Sequence, residues 1–197
     1  MVEFVSFFTY ALLVVVACVT VYYGVKFIEY SWNVIVSKTP PFVPANSTER
    51  AAVVQQINMF YPHVKAVLEL GSGYGGLVRY IARNTSAHVV GVERMPGAAL
   101  ISWVLDKLYR VNSRTVWGNI YQYLENMDGR VDIAVAYMGP NVTPRLATYS
   151  NKFGVLISVD FEILDISPVR VIDVGNGYTR YAGKQYPHRL YVYEFKK

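Results

Sequence analysis

The stretch LELGSGYGG, Leu68 to Gly76, carries four glycines in its last six positions after an apolar run. A loop so poor in side chains lets the chain turn sharply and lets a ligand rest on bare backbone. The spacing Gly71-x-Gly73-x-x-Gly76 satisfies the dinucleotide fingerprint, in which a pyrophosphate sits at a helix N-terminus. Two residues before the first glycine stands a carboxylate, Glu69. Which ligand suits both features depends on what surrounds the loop.

Outward from the loop the chain alternates. KAVLEL before it reads as a short buried strand and GLVRYIARNT after it as a helix. AHVVGVE, RTVWGN, VDIAVAYM and GVLISVDFEI read as further strands. Between them lie helical patterns, among them AALISWVLDKLYRV with Leu100, Val104, Leu105 and Leu108 on one face. The helices IYQYLENM and, more weakly, PRLATYSNKF follow. Upstream, Asn46, Ser47 and Thr48 are candidate N-caps for a helix through ERAAVVQQINMFY that Pro62 ends. The last segments, PVRVIDVGNGYTRYAG and HRLYVYEF, are β-rich with no helix between them. Alternating βα units predict a mostly parallel sheet with helices on both faces, and the tail predicts an antiparallel terminal hairpin.

In such a sheet, ligands bind beyond the carboxyl ends of the strands. Glu69 is an awkward neighbour for a doubly anionic pyrophosphate. It is a favourable one for S-adenosylmethionine, which carries an ammonium and a sulfonium and no phosphate. Glu93 ends the second strand about 20 residues on, where a ribose diol needs an acceptor. Both NAD and S-adenosylmethionine have that ribose, so Glu93 supports a nucleoside without choosing between them. Asn119, after the third strand, is placed to bond an adenine edge, or is an ordinary turn residue.

At the N-terminus, Phe4 to Val25 is a run of 22 residues without a charge. As a helix it reaches ~33 Å, enough for a hydrocarbon core of roughly 30 Å. Met1 to Glu3 lacks the positive charge of a signal peptide, and the apolar run is too long for one. Aromatics crowd both ends of the run, and Lys26 and Lys38 follow it. The reading is a retained single-pass anchor with the main domain on the cytoplasmic side or its organelle equivalent. A net charge of +5 suits a domain near anionic headgroups, and no dense basic cluster interleaved with aromatics points to nucleic acid. The single cysteine, Cys18, lies in the span, which excludes a disulfide framework. His63, His88 and His188 match no metal-ligand spacing and read as surface or packing histidines.

With these motifs the chain resembles class I S-adenosylmethionine-dependent methyltransferases. More narrowly, it resembles the membrane-anchored protein-lysine methyltransferases that modify the ATP synthase c subunit and the adenine nucleotide carrier, with relatives in prokaryotes. The likeness rests on PFVPA, Pro41 to Ala45, just after the anchor. It rests also on Glu69-Leu70-Gly71-Ser72-Gly73-Tyr74-Gly75 for the family's D-L-G-S-G-D-G, and on Gly91-Val92-Glu93-Arg94-Met95-Pro96 for its G-Y-E-x-N-P. The chain departs from the pattern at Tyr74, Met95, Asn119 and Glu49. The resemblance implies an anchor over 1–30, an extended linker over 31–48 and a methyltransferase domain over 49–197. It implies a seven-stranded Rossmann-like sheet ending in a reversed hairpin. Cofactor binding falls to Glu69, Gly71, Ser72, Gly73, Gly75, Glu93 and Asn119. Tyr137 and Pro140, in Tyr137-Met138-Gly139-Pro140, stand at the family's catalytic, substrate-facing F-x-x-P, with Phe42 and Pro44 as a lid on the substrate.

The leading expectation is transfer of methyl groups to a lysine of a membrane-associated protein, with no metal. The alternatives are a methyltransferase for a membrane-dissolved quinone or lipid, a non-catalytic S-adenosylmethionine-binding protein, and an NAD oxidoreductase. A lysine enzyme predicts a narrow acidic or aromatic slot, and a quinone or lipid enzyme an apolar tunnel.

Overall fold

The computed structural model describes residues 2–31 and 43–195. Contacts divide the chain into two compact units, Met1–Pro41 and Phe42–Lys197.

The described residues of the first unit form one helix, α1 (Val2–Ser31). Its segment Thr9–Ile28 has a mean hydropathy of 2.1 and is long and apolar enough to cross a membrane. Thr20 donates its hydroxyl to the Val16 carbonyl at 2.8 Å, so the one polar side chain in the middle of the run is satisfied within the helix.

The second unit opens with α2 (Ser47–Phe60), whose N-cap is Asn46. The Asn46 side chain accepts from the Glu49 N–H at 2.9 Å, and Glu49 Oε2 accepts from the Asn46 N–H at 2.7 Å. This reciprocal capping box fixes where the helix begins. There follow β1 (Ala66–Leu70), α3 (Gly76–Asn84), β2 (His88–Glu93), α4 (Pro96–Tyr109) and β3 (Ser113–Trp117). Next come α5 (Ile120–Asn126), β4 (Val131–Ala136), the single turn α6 (Thr143–Leu146) running into a 3-10 turn, and β5 (Phe153–Val159). The chain ends in β6 (Arg170–Tyr181) and β7 (Lys184–Glu194).

The seven strands form one sheet in the order β3-β2-β1-β4-β5-β7-β6. All pairs are parallel except those of β7, which runs against both β5 and β6. The expected hairpin is therefore present. Ala182 and Gly183 join its strands with φ of 48° and 77°, the two-residue, positive-φ turn whose twist suits a hairpin. Side chains alternate across the sheet with period two. Val67, Ile133 and Val135 join a core with α2 and α3, while Leu68, Ala134 and Ala136 join another with α5 and α6.

Two expectations change. The fifth strand stops at Val159, because Asp160 takes a left-handed backbone at φ 62° and the following DFEI residues leave the sheet. The α4 helix is inverted with respect to its apolar stripe. Its buried face is Ala98, Ala99, Ser102 and Asp106, and Leu100, Val104 and Leu108 point outward. The reason is polar and local. Asp106 pairs with the buried Arg79 at 3.2 Å and accepts from Thr115 at 2.8 Å, while Ser102 bonds Thr115 at 2.8 Å. A buried guanidinium needs a paired acid, and that need holds the polar stripe inward.

Candidate active site

The sheet order reverses at β1, which has β2 on one side and β4 on the other. Ligands in open α/β sheets sit at such a switch point, and the glycine loop leaves β1 there. Gly71, Gly73 and Gly75 all have positive φ, at 76°, 54° and 72°. At Gly75 a Cβ would also lie 2.1 Å from Ser102 Oγ and 2.6 Å from Arg79 Nη1, so both side chains would have to move to admit it. The Arg79 guanidinium in turn donates to the Tyr74 carbonyl at 2.6 Å, bracing the loop from below.

Two acids flank this loop. Glu69 is buried and its carboxyl accepts from the Val78 N–H in the first turn of α3. Glycine at the N-cap offers no capping side chain there, so Glu69 serves that helix end from the preceding strand. Its other oxygen, Oε2, is buried with no hydrogen-bond partner among the described residues. Burial, with the nearby charge of Glu93, pushes the Glu69 carboxyl up to about 8, against smaller opposing effects of Val78, Arg79 and Arg50. Glu93, at the end of β2, accepts from the Gly73 N–H at 2.6 Å and from the Met95 N–H at 2.7 Å. It thereby ties the glycine loop to the start of α4. Each carboxylate oxygen has a second lone pair, so Glu93 can also accept from a ligand. Ser72 is buried beside Gly91.

Asn119 is half-buried at the N-terminus of α5, where its Oδ1 accepts from the Tyr121 N–H at 2.9 Å. Its side-chain oxygen thus caps a helix.

Across the switch point, Leu70 pairs with Ala136, which sets Tyr137 alongside Gly71. The Tyr137 hydroxyl donates to Asp160 Oδ2 at 2.9 Å and lies 2.9 Å from Thr179 Oγ1. Thr179 donates to the same Asp160 oxygen at 2.6 Å, and the Arg189 N–H to the other at 3.2 Å. His188 Nδ1 completes the group, 3.1 Å from Asp160 Oδ2 and 2.9 Å from Glu49 Oε1. A single Nδ1–H cannot serve both. It is aligned on Asp160, and Glu49 Oε1 is close to the ring without an aligned donor from it. Burial pushes the Glu49 carboxyl up, the Asp160 charge adds to this, and the Asn46 N–H opposes it. Burial likewise raises Tyr137, which stays a neutral phenol.

His188 is therefore neither a surface nor a packing histidine. Its ring bonds the buried Asp160 and lies close to the buried Glu49, and ligating atoms of Glu49, Asp160 and His188 lie within 4.8 Å of one another. The chain order hid this group: α2, the turn after β5 and the terminal hairpin each contribute one member. The available signal was the capping acid Glu49 together with an Asp at the end of a buried strand.

Phe161, buried beside Asp160, has Tyr137 at 6.3 Å, Tyr181 at 5.8 Å and Tyr186 at 4.9 Å between ring centroids. Tyr181 lies so close over Gly139 that a Cβ there would be 2.6 Å from the ring. The half-buried Pro140 follows in this turn. Pro44 is exposed before α2. Phe42, its expected companion over the substrate, lies outside the described residues.

This sheet has known counterparts. An RNA methyltransferase from Salinibacter ruber, in complex with S-adenosyl-L-homocysteine, matches with a TM-score of 0.58 at 21% identity, over 77% of this chain and 93% of that one. The fold is that of the class I methyltransferases. A 16S rRNA N2 G1207 methyltransferase from T. thermophilus, in complex with AdoMet and guanosine, gives a TM-score of 0.57 at 18% identity over 78% of this chain and 44% of its own. A SAM-dependent methyltransferase from Thiobacillus denitrificans with S-adenosyl-L-homocysteine gives 0.52 at 16%, over 65% and 54%. No protein-family model and no curated protein matches the sequence.

Proposed function

We propose that the chain is a membrane-anchored S-adenosylmethionine-dependent methyltransferase that acts on a lysine side chain of a membrane-associated protein. The observation that carries the reading is the buried oxygen of Glu69 that has no hydrogen-bond partner among the described residues, beside a glycine loop at the switch point of the sheet. A buried carboxylate oxygen without a donor is costly, and an ammonium group is the partner it lacks. Glu69 and the loop glycines would hold the amino acid end of the cofactor, and Glu93 its ribose. S-adenosyl-L-homocysteine and AdoMet in structures of this fold support the same ligand class. When bound, S-adenosylmethionine supplies an electrophilic methyl group on a positively charged sulfur.

The chain's own residues then handle the acceptor. Asp160 and Glu49 attract an ammonium to the turn at Tyr137. The amine must lose a proton before its lone pair can attack. Glu49, whose carboxyl is pushed up, holds a proton more readily than an ordinary carboxylate and is its end point, with His188 between the two acids. Phe161, Tyr181 and Tyr186 line this place with aromatic rings. A phenolate acceptor, as on a deprotonated quinol, would meet the same two carboxylates as repulsion. The acidic, aromatic surroundings therefore favour an amine over a phenol. The helix α1 would hold the enzyme at a bilayer, where lysines on loops of membrane proteins are presented.

The test is incubation of the full chain with radiolabelled S-adenosylmethionine and isolated membranes. Label in a protein band, absent with Glu69→Ala, is the expected result. Label in extracted lipid overturns the lysine reading, and no calorimetric binding of S-adenosylmethionine overturns the enzyme.

A further inference from the structure

The inverted helix α4 presents Leu100, Trp103, Val104 and Leu108 to solvent, with Leu100 at 61% and Leu108 at 69% exposure. Positions 100, 104 and 108 fall on one stripe, opposite the buried Ala98, Ala99, Ser102 and Asp106. Trp117, 66% exposed, stands at the end of β3, the edge strand that α4 packs against. Its indole N–H donates to the Arg94 carbonyl at 3.0 Å, so the ring is held at the edge of the same region. A soluble helix normally turns such a stripe to the core, and contiguous apolar surface of this kind marks an interaction site.

We infer that the outer face of α4, with Trp117, docks on the surface of an anionic bilayer. Charge selects the occupant. Residues 94–124 carry four cations, Arg94, Lys107, Arg110 and Arg114, all exposed. Their single acid, Asp106, is buried and paired with Arg79. An apolar stripe with tryptophans and a basic flank is the composition of an interfacial helix on anionic lipid. That α1 can span a bilayer adds a third reason, which rests on the anchor reading above; the first two do not. Since Glu93 fixes the start of α4 to the glycine loop through Met95 and Gly73, docking would set that loop at a fixed depth from the headgroups.

Hydrogen exchange of the full chain in lipid nanodiscs tests this. In discs containing about a third phosphatidylserine, amides over 96–117 should exchange about fivefold more slowly than in neutral phosphatidylcholine discs. The difference should vanish in Leu100→Glu/Leu108→Glu and, without touching the apolar stripe, in Arg110→Glu/Arg114→Glu. Unchanged protection over 131–136 shows that the variants remain folded, and protection over 9–28 reports the anchor separately. Equal exchange in the two lipids overturns the proposal. So does slowing in detergent that grows with protein concentration, which would seat a second copy on this face.

Discussion

Glu69 and Glu93 are held by backbone N–H groups of one βαβ unit: Glu69 by Val78 just after it, and Glu93 by Met95 just after it and by Gly73 in the loop after β1. Asp160 and Glu49, by contrast, are tied together by side chains from the turn after β4, the hairpin and the first turn of α2. The first arrangement is local in sequence and rigid, because a strand, a glycine turn and a helix N-terminus dictate it. The second is assembled from distant segments and survives only while the whole sheet edge is in register. A cofactor that is the same in many enzymes suits the first design, and an acceptor that differs between enzymes suits the second. If that division is real, the two halves can be broken one at a time.

The largest separation is expected at Asp160. Its left-handed φ of 62° is one that asparagine tolerates, so Asp160→Asn keeps the fold while removing the charge. Methyl transfer should fall by about 10²–10³-fold, with affinity for S-adenosyl-L-homocysteine within about twofold of the parent by calorimetry. A parallel loss of both would show that the halves are one unit.

Next comes the loop itself. Gly75→Ala meets Ser102 and Arg79 as well as an unfavourable φ, and should cost about 2–3 kcal/mol of stability. Gly183→Ala shares the positive φ but has nothing within 4 Å of the new Cβ, and should cost only about 1 kcal/mol. Urea midpoints in detergent distinguish the two. Equal costs would mean that the close approach to Ser102 does not brace the loop.

These contrasts mirror what could be read in the sequence. The alternation of apolar strands with helices, and the β-rich tail, make the strands legible without any three-dimensional information, and the glycine spacing with acids at the ends of two strands makes the proposed cofactor loop legible. The α4 helix was misleading because its leucines follow a core pattern, while the deciding interaction, Asp106 with Arg79, joins two helices 27 residues apart. His188 was opaque for the same reason, since its partners lie 28 and 139 positions away. Asn119 sits between these cases. A cap before IYQYLEN is legible as a helix start, and the same atom cannot be told in sequence from an adenine ligand.

A smaller effect is expected at Glu69. In the ligand-free fold its carboxyl is raised from 4.5 to about 8, so the folded chain binds an extra proton between those values. Ligand-free stability should therefore fall as pH rises through that window. Glu69→Gln should remove that component of the slope. At about pH 6.5 the α-amino group of a ligand is still protonated, and pairing with it ionises Glu69. Binding of S-adenosyl-L-homocysteine should then release close to one proton, seen as a dependence of calorimetric heat on buffer ionisation. Glu69→Gln should release none and bind about 10- to 30-fold more weakly. An unchanged proton count in that variant would remove Glu69 from the cofactor half.

The mildest change belongs to Tyr137, where the two halves meet. Burial holds its phenol neutral across any practical pH, so it is a hydrogen-bond donor to Asp160 and no base. Tyr137→Phe keeps the ring beside Phe161 and removes one of the donors on the shared carboxylate oxygen. With His188 and Thr179 still in place, kcat should drop only about three- to tenfold. Losing a donor makes negative charge in the cluster harder to hold, so the acid limb of the pH–rate profile should move to higher pH. Cofactor affinity should not move, because the hydroxyl that is removed bonds Asp160 and Thr179. A variant that lost cofactor binding but kept its pH profile would reverse the assignment, placing Tyr137 with the glycine loop.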